Sequence, residues 1–377
     1  MQVKFIDLSR GYEKYGAEIE SEVLSVLRSG IYLNGKYTSD LENKLSEYLG
    51  VKHAIGVASG TEALYLILKA LELPKNSWIL VPSFTFIATS EVVVRAGLKP
   101  YFVDIEEGTF NLSLESVKNA YQELSKKGER VSAIIAVSLF GVPASLYELS
   151  SFCEENSIYL IEDMCQAFGA SIKEKMVGSF GIASATSFYP SKPLSTCGDA
   201  GMVFTQDKEL AQKIRYLKEH GQTKPYYYEY HGVNGRMDEI HAAILKVKFK
   251  YFEEELRLRR EIASRYLEAL SDLKEIGLPE VPKESSPSWS LFTIKTVYRD
   301  ELKKYLEERG IRTGIYYAYP LHLQPVYEDL GFKEGSLPVT ERISKEVLSL
   351  PMHPYLTREE QTYVIDAIKD FFKERGK

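Results

Sequence analysis

The chain of 377 residues is long enough for two or three domains, and its 44% hydrophobic and 27% charged residues are typical of a globular protein, which excludes a largely disordered chain. Lysine and arginine number 47 against 53 aspartate and glutamate residues, so the net charge of −6 gives no support to nucleic-acid binding. Three cysteines without metal-ligand spacing favour neither a disulfide framework nor a zinc site. The sequence has no apolar run long enough to cross a bilayer and no signal-peptide core, which predicts a cytoplasmic protein without a membrane anchor.

From about residue 50, short β-rich runs alternate with patterns that are typical of helices. The predicted strands span residues 54–58, 78–83, 100–105, 133–141, 157–163, 185–189 and 201–205. Helical patterns begin near Glu62, Ala88 and Leu114, and the Ser-x-x-Glu sequence at Ser145 predicts a further helix with a capping box. Near-continuous apolar strands separated by helices predict an α/β fold with a mostly parallel sheet flanked by helices.

The pattern changes after about residue 236. Apolar residues recur at helical spacing from Ile240 to Tyr251, and the pattern continues to about residue 270, which predicts one long helix that bridges two domains. Beyond it, we expect a loop at 279–288, a strand within 288–297, a helix near 300–309 and a final helix at the Thr357 capping box. We therefore predict a large α/β domain with an N-terminal helical arm over residues 1–250 and a small C-terminal α+β domain over 251–377.

Ligands of open α/β sheets bind at the carboxyl ends of strands, and a first loop there carries Ser59, Gly60 and Thr61. A small residue, a glycine and a hydroxyl at a helix start can hold a phosphate with backbone N–H groups and the helix dipole. The alternative is that Ser59 or Thr61 simply caps the helix, which is the more frequent role of such residues.

Asp163 and Lys192 belong to two further loops of this kind. A carboxylate at the end of a buried strand is costly unless it meets several donors or a cation, such as the protonated ring nitrogen of a cofactor; the alternative is an exposed acid or a helix cap. Lys192 follows a β-rich run in a loop with Pro and Gly, which suits a lysine of lowered pKa that forms a Schiff base, although most lysines are surface residues. A phosphate loop, an acidic strand end and a loop lysine, in this order, hold pyridoxal phosphate in many aminotransferases.

A series of motifs follows in order along nearly the whole chain: SGIYLNGKYTSDLENKLSEYLGVKHAIGVASGTEAL, PSFTFIATSEVV, VDIEEGTFNLS, IEDMCQAFGA, TSFYPSKPL, GDAGMVFT, HGVNGRMDEIHAAIL and YPLHLQP. So many ordered matches are far more specific than any single motif. In them the chain resembles the DegT–StrS family of nucleotide-sugar aminotransferases, which have the aspartate aminotransferase (type I) fold. The resemblance implies pyridoxal 5'-phosphate as the cofactor and a homodimer with shared active sites.

The resemblance also implies roles for individual residues. Lys192 stands at the lysine that forms the Schiff base, and Asp163 stands at the residue that pairs with the pyridine nitrogen. The other cofactor-binding positions are Gly60, Thr61 and Ser187 at the phosphate, Phe86 over the ring, Gln166 beside it, and Asn234 from the partner subunit. The substrate-binding positions are Arg236, also from the partner, and Tyr316, Tyr317 and His322 in the sugar-nucleotide segment.

Two motifs depart from the family pattern. The common Gly-Asp-Gly-Gly is Gly198-Asp199-Ala200-Gly201 here, which changes a turn and removes no reactive group. The usual His-Tyr pair of the sugar-nucleotide segment is Tyr316-Tyr317 here. A neutral phenol binds a carboxylate less well than an imidazolium, so this second departure bears on the substrate.

We therefore predict an aminotransferase that moves an amino group, with L-glutamate as the expected donor, to a nucleotide-linked keto sugar. Local likeness in TSFYPSKPL, EHGQ and LSLPMHPYL favours UDP-2-acetamido-2-deoxy-3-keto-glucuronate as the acceptor. A dTDP-linked 3- or 4-keto-6-deoxyhexose is the alternative. A dehydratase of the same fold is disfavoured because such enzymes replace the Schiff-base lysine with histidine, and a non-enzymatic regulator is disfavoured because no DNA-binding segment is visible.

Overall fold

A computed structural model describes residues 1–375 of the chain. The helices are α1 (Leu8–Ser29), α2 (Lys36–Leu49), α3 (Gly60–Ala70), α4 (Ala88–Arg95), α5 (Leu114–Lys126), α6 (Leu146–Glu155), α7 (Lys208–Leu217), α8 (Glu239–Phe249), α9 (Phe252–Leu270), α10 (Arg299–Glu308), α11 (Pro338–Glu346) and α12 (Arg358–Arg375). The strands are β1 (His53–Val57), β2 (Trp78–Pro82), β3 (Lys99–Val103), β4 (Val131–Val137), β5 (Tyr159–Asp163), β6 (Ser171–Ile172), β7 (Lys175–Met176), β8 (Ala183–Ser187), β9 (Gly201–Thr205), β10 (Gln222–Lys224), β11 (Tyr227–Tyr228), β12 (Ser285–Ser286), β13 (Phe292–Lys295) and β14 (Val347–Leu350). None of these helices is both long enough and apolar enough to span a bilayer.

The central feature is a seven-stranded sheet in the order β1-β9-β8-β5-β4-β2-β3. Strands β3, β2, β4, β5 and β8 pair in parallel, whereas β9 is antiparallel to both of its neighbours. Apolar clusters cover both faces, and every residue of β4 is buried. The predicted α/β fold with a mostly parallel sheet flanked by helices is confirmed, and each of the seven predicted runs forms a strand of this sheet.

The sheet brings three chain segments to one edge. Because β1, β5 and β8 run in the same direction, their carboxyl ends lead to Ser59, Asp163 and Ser187 at a common edge. Strand β9 begins there with Gly201, which pairs with Val57 on one side and with Ser187 on the other. A side chain on Gly201 would overlap the backbone of Ser59, so this close approach requires glycine.

Two local predictions in the sequence are corrected by the structure. The helical pattern beyond residue 236 forms two helices, α8 and α9, with a break at Lys250 and Tyr251 rather than one long helix. Ser145 precedes α6, but its side chain makes no capping hydrogen bond. The second capping box does form, since Thr357 Oγ1 accepts from the Glu360 N–H at 3.1 Å and Glu360 Oε2 accepts from the Thr357 N–H at 2.9 Å.

The C-terminal elements pack around their own apolar cluster, which includes Tyr266, Phe292, Leu306 and Ile368. Strands β13 and β14 form an antiparallel pair at its centre. Val3 belongs to the same cluster and pairs with Ile311, so the first residues of the chain contact the C-terminal part. The division near residue 250 stays a prediction.

Candidate active site

A cavity of about 580 Å³ lies at the edge of the sheet where β1, β5 and β8 end. It collects residues that are far apart in the sequence. The predicted site residues that line it are Gly60, Thr61, Phe86, Asp163, Gln166, Ser187, Lys192, Tyr316 and Tyr317. Such a concave site with convergent polar groups is the setting of ligand binding in open α/β folds.

Asp163 is the buried carboxylate of this cavity. Only 6% of its surface is exposed, which excludes the alternative of a solvated loop acid. Its Oδ2 accepts from Thr89 Oγ1 at 2.9 Å, and its Oδ1 accepts from the Cys165 N–H at 3.1 Å. These two donors fix the orientation of the carboxylate at the end of β5 and leave it able to face a cationic ligand group.

The neighbouring carboxylate, Glu162, binds backbone N–H groups instead of facing the cavity. It is also buried, and its two oxygens accept from the N–H groups of Gly178, Phe180 and Gly181 at 2.6 to 2.8 Å. Burial raises its pKa, while these backbone donors oppose that effect. Of the two adjacent carboxylates, Glu162 is therefore satisfied by the fold and Asp163 is presented to the cavity.

The amino end of α3 forms another wall. The Ser59 side chain caps the helix by accepting from the Glu62 N–H at 3.1 Å, so the capping role holds for Ser59. Gly60 packs tightly there, because a Cβ atom on it would lie 2.7 Å from the Cβ of Ser187 and 2.9 Å from the Sγ of Cys165. The helix terminus thus stands directly beside the ends of β5 and β8, with Thr61 and Ser187 on the cavity wall.

Lys192 enters the cavity from the loop between β8 and β9. Its backbone N–H donates to the Tyr189 carbonyl at 2.9 Å, which closes a turn at the loop. Burial lowers the pKa of the Lys192 amine, while the nearby Cys165 and Asp163 favour its charged form. A buried amine of lowered pKa is the property that a Schiff-base lysine needs, because the neutral form is the nucleophile.

The Gln166 side chain hydrogen-bonds both to the backbone after β4 and to Tyr317, one of the aromatic residues of the cavity. Its Oε1 accepts from the Phe140 N–H at 2.9 Å, and its Nε2 donates to the Tyr317 hydroxyl at 3.2 Å. The Tyr317 ring lies 6.4 Å from that of Phe86, and burial raises the pKa of Tyr317. Tyr316 stacks on Phe5 with ring centroids 5.9 Å apart, so the N-terminal segment supports this wall.

His322 does not line the cavity of its own chain, so its predicted contact with substrate stays a prediction. It is 1% exposed, and both ring nitrogens have protein partners. Nδ1 lies 2.7 Å from Ser83 Oγ, and Nε2 lies 3.1 Å from Glu341 Oε1. Because the Glu341 carboxylate can only accept, the ring proton is assigned to Nε2, and Nδ1 then accepts the proton of Ser83 Oγ.

Asn234 and Arg236 lie outside the cavity of their own chain. Arg236 Nη2 donates to Asn234 Oδ1 at 2.7 Å, and the two residues pair with Glu219 and Val57 as isolated bridges. Asn234 is exposed. Their predicted roles at a partner's site therefore stay predictions.

Several cavity residues were not anticipated as such from the sequence. The clearest are Thr85 and Thr89, which hydrogen-bond to each other and, through Thr89, to Asp163. Their spacing of four residues puts both on one side of the turn into α4, but exposed threonines show the same spacing. Cys165, Tyr189 and Asp199 also line the cavity.

Residues of this cavity fit pyridoxal 5'-phosphate. The α3 terminus, with Thr61 and Ser187 beside it, offers N–H and hydroxyl donors to a phosphate. Asp163 provides a buried, oriented carboxylate for a protonated ring nitrogen, and Lys192 provides an amine of lowered pKa. A phosphate donor set, a carboxylate and an amine within one cavity are the contacts that this cofactor requires.

Comparison with known proteins gives one family across the chain. The model of the DegT/DnrJ/EryC1/StrS aminotransferase family matches residues 13–369. A pleiotropic regulatory protein of Geobacillus stearothermophilus is 40% identical over 99% of both chains. The dTDP-3-amino-3,4,6-trideoxy-alpha-D-glucose transaminase of Streptomyces venezuelae is 36% identical, with 98% of this chain and 96% of that protein covered. The UDP-2-acetamido-2-deoxy-3-oxo-D-glucuronate aminotransferase of Pseudomonas aeruginosa is also 36% identical, with 94% and 96% covered.

Solved structures agree with these relatives. A DegT DnrJ EryC1 StrS aminotransferase from Brucella abortus superposes with a TM-score of 0.95 at 39% identity, over 98% of this chain and 99% of that chain. The ntda protein of Bacillus subtilis, solved with bound cofactor PMP, has a TM-score of 0.90 at 29% identity, over 99% of this chain and 85% of that chain. Aminotransferases of this family depend on pyridoxal phosphate, so the cofactor expected from the sequence is confirmed.

Proposed function

Because the chain belongs to the DegT/DnrJ/EryC1/StrS aminotransferase family, we propose that it moves the amino group of L-glutamate to carbon 3 of a nucleotide-linked 3-keto sugar. The observation that carries this proposal is the single cavity that holds the Lys192 amine, the buried Asp163 carboxylate and the α3 terminus. The two curated aminotransferases named above support carbon 3, since their names place the new amine or the keto group there.

The proposed roles follow from the geometry of the chain. Bound pyridoxal phosphate supplies an electron sink that stabilises the carbanion formed when a proton leaves the amino-bearing carbon. Asp163, held by Thr89 and the Cys165 N–H, keeps a negative charge at the cofactor ring. Lys192 carries the proton between carbon atoms, because burial lowers its pKa toward the range of a general base. Phe86 and Tyr317 form the aromatic wall that fixes the plane of the cofactor ring.

For the sugar, we propose UDP-2-acetamido-2-deoxy-3-keto-glucuronate, with a dTDP-linked 3- or 4-keto-6-deoxyhexose as the alternative. A uronate adds a carboxylate, whose burial is unfavourable unless cationic or hydroxyl donors meet it. Arg236 of a partner subunit and the hydroxyls of Tyr316 and Tyr317 are the proposed donors. A 6-deoxy sugar has a methyl group at that place, which needs only an apolar contact.

A substrate comparison tests this choice. The protein is loaded with pyridoxal phosphate, converted with glutamate, and then given the UDP-linked 3-keto uronate, its neutral counterpart with a hydroxymethyl group, or a dTDP-linked 3-keto-6-deoxy sugar. We expect kcat/KM for the uronate to exceed that of the neutral counterpart by about tenfold or more, as one charge-assisted hydrogen bond gives. Arg236→Ala should remove this preference, and Arg236→Lys should keep part of it. Equal rates for the two UDP sugars, or an equal loss on both in Arg236→Ala, would show that the acceptor is not a uronate.

A further inference from the structure

The segment Leu139–Gly141, which follows β4, has a backbone conformation that needs support from its surroundings. Phe140 has φ 59° and ψ 8°, and Gly141 has φ 88°. Positive φ values are unfavourable for a residue with a Cβ atom, so Phe140 keeps this conformation only where neighbouring groups hold it. One such group is the Ser288 N–H, which donates to the Gly141 carbonyl at 3.0 Å, and a second is the side chain of Asn111.

Asn111 holds both ends of this segment with one side chain. Its Oδ1 accepts from the Leu139 N–H at 2.8 Å, and its Nδ2 donates to the Val142 carbonyl at 3.0 Å. A backbone N–H can only donate and a carbonyl can only accept, so these two partners fix the orientation of the amide group. Asn111 is 2% exposed and does not line the active-site cavity. Its effect on the cavity therefore passes through the residues that it holds.

The held segment in turn orients the side chain of Gln166. The Phe140 N–H donates to Gln166 Oε1 at 2.9 Å, which assigns the amide oxygen to that contact. The amide nitrogen is then left for the Tyr317 hydroxyl, to which it donates at 3.2 Å. Gln166 and Tyr317 both line the cavity, and the amide nitrogen has a second hydrogen to donate. Without the Phe140 N–H, a rotation of the amide would exchange its donor and its acceptor.

We propose that Asn111 is a positioning residue for the cofactor: it holds the segment Leu139–Gly141, and this segment fixes the Gln166 amide with its nitrogen as the donor for the ligand. Pyridoxal phosphate carries acceptor oxygens on its ring and on its phosphate, so a donor is the group that its site needs. An amide that rotates freely presents the wrong atom for part of the time, and its ordering then opposes binding. Asn111 removes that cost before the ligand arrives.

The proposal rests on the cofactor site of the proposed function, with Gln166 beside the ring, and not on the identity of the sugar. A purely structural role of Asn111 is the alternative, because the loss of two buried hydrogen bonds lowers stability in either case. Ser138 provides a matched control in the same part of the chain. It is 1% exposed, and its Oγ accepts from the Ala144 N–H at 3.1 Å, outside the segment that binds Gln166.

The affinity of the cofactor-free protein for pyridoxamine 5'-phosphate tests the proposal. This form of the cofactor has an amine in place of the aldehyde, so it forms no Schiff base with Lys192 and its Kd reports the other contacts alone. Kd is measured by fluorescence titration for the wild type, Asn111→Ala, Gln166→Ala, the double variant and Ser138→Ala. Urea denaturation gives the stability of each protein. Asn111→Asp keeps the size and the acceptor, and it takes the place of Asn111→Ala if that variant does not fold.

We expect Kd to rise about tenfold in Gln166→Ala and by about as much in Asn111→Ala, because each variant removes the oriented donor. The double variant should bind as Gln166→Ala does, since both changes act on one contact. Asn111→Asp loses the hydrogen bond to Val142 alone and should raise Kd about threefold. Ser138→Ala should lose stability but keep the wild-type Kd.

Four results would overturn the proposal. They are a wild-type Kd in the Asn111 variant that folds, a wild-type Kd in Gln166→Ala, an equal rise of Kd in Ser138→Ala, and a double variant whose loss is the product of the two single losses. The measurement contains neither a sugar nor an amino donor. A wrong acceptor sugar would therefore leave every one of these results unchanged.

Discussion

Three lysines of this chain show why position, and not a lowered pKa alone, identifies the reactive amine. Burial lowers the pKa of Lys192, Lys218 and Lys248 alike. Lys218 donates to the Gly56 carbonyl at 2.9 Å, and Lys248 donates to Ser195 Oγ at 2.7 Å. Lys192 lines the large cavity together with Asp163. Lys218 shares a different pocket with Glu42, whose oxygens accept from the Gly56 N–H and from Arg215.

The substitution Asp163→Asn tests the role of the carboxylate that shares the cavity with Lys192. The substitution keeps the size and one acceptor oxygen for the Cys165 N–H, but it replaces the oxygen that accepts from Thr89 with an NH2 group and removes the charge that holds a proton on the cofactor ring. We expect the rate of the glutamate half-reaction to fall about a hundredfold or more in single-turnover measurements. Thr89→Val keeps the charge and removes one hydrogen bond, so its loss should be about tenfold. A wild-type rate in Asp163→Asn would remove Asp163 from the mechanism.

At the scale of the elements, His322 joins two segments that the sequence does not connect. The 3-10 turn Leu321–Leu323 carries His322, the end of β2 leads to Ser83, and α11 carries Glu341. Glu341 also accepts from the N–H groups of Gly335 and Leu337 at 2.8 to 3.1 Å. The loop after Ser83 continues to Thr85 and Phe86 on the cavity wall, so this network holds the segment that forms the wall.

His322→Ala should lower the free energy of unfolding by about 3 kcal/mol at pH 7, because it removes two buried hydrogen bonds and leaves a cavity. Burial lowers the pKa of His322, so below about pH 6.5 the unfolded chain binds a proton that the folded chain resists. The wild type therefore loses part of its advantage as the pH falls, and the difference from His322→Ala should shrink between pH 7 and pH 5 in urea denaturation. The exposed His231→Ala should change stability by less than about 0.5 kcal/mol. A difference that grows with acidity would contradict the neutral, buried state of His322.

The strands of the central sheet are predictable from apolar runs of five to seven residues. A strand that is buried on both faces, as β4 and β9 are, needs apolar residues at nearly every position. The break between α8 and α9 has no such signal, since Lys250 and Tyr251 are neither proline nor glycine. Asp163 ends one predicted strand and Lys192 comes shortly after another, so their meeting at one edge is predictable from strand direction. Thr89 reaches the site through tertiary packing, which no local spacing encodes.

At the scale of the whole molecule, the site of one chain is proposed to be completed by a second copy. The hairpin of β10 and β11 projects Tyr226, Tyr227 and Tyr228, with Tyr226 90% exposed. Exposed aromatic clusters of this kind mark interaction surfaces. Asn234 and Arg236 follow this hairpin and do not line the cavity of their own chain. A homodimer with shared sites accounts for both features.

Complementation of two inactive variants tests the shared site. In a mixed dimer of Lys192→Ala with Asn234→Ala/Arg236→Ala, one site has both defects and the other has none. A random equal mixture holds half of its subunits in mixed dimers, so we expect about one quarter of wild-type activity to return. Each variant alone, mixed with itself, is the control. Verified mixed dimers without recovered activity would show that each chain uses its own Asn234 and Arg236.

The central claim is that the Lys192 amine forms the Schiff base with the cofactor, in the cavity that Asp163 also lines. The most direct measurement is borohydride reduction of the pyridoxal-phosphate-loaded protein, followed by peptide mass spectrometry. We expect a single modified peptide, with the added mass on Lys192, and loss of this label when glutamate is added before reduction. Label on Lys218 or Lys248 instead, or a label on Lys192 that glutamate does not remove, would contradict the account.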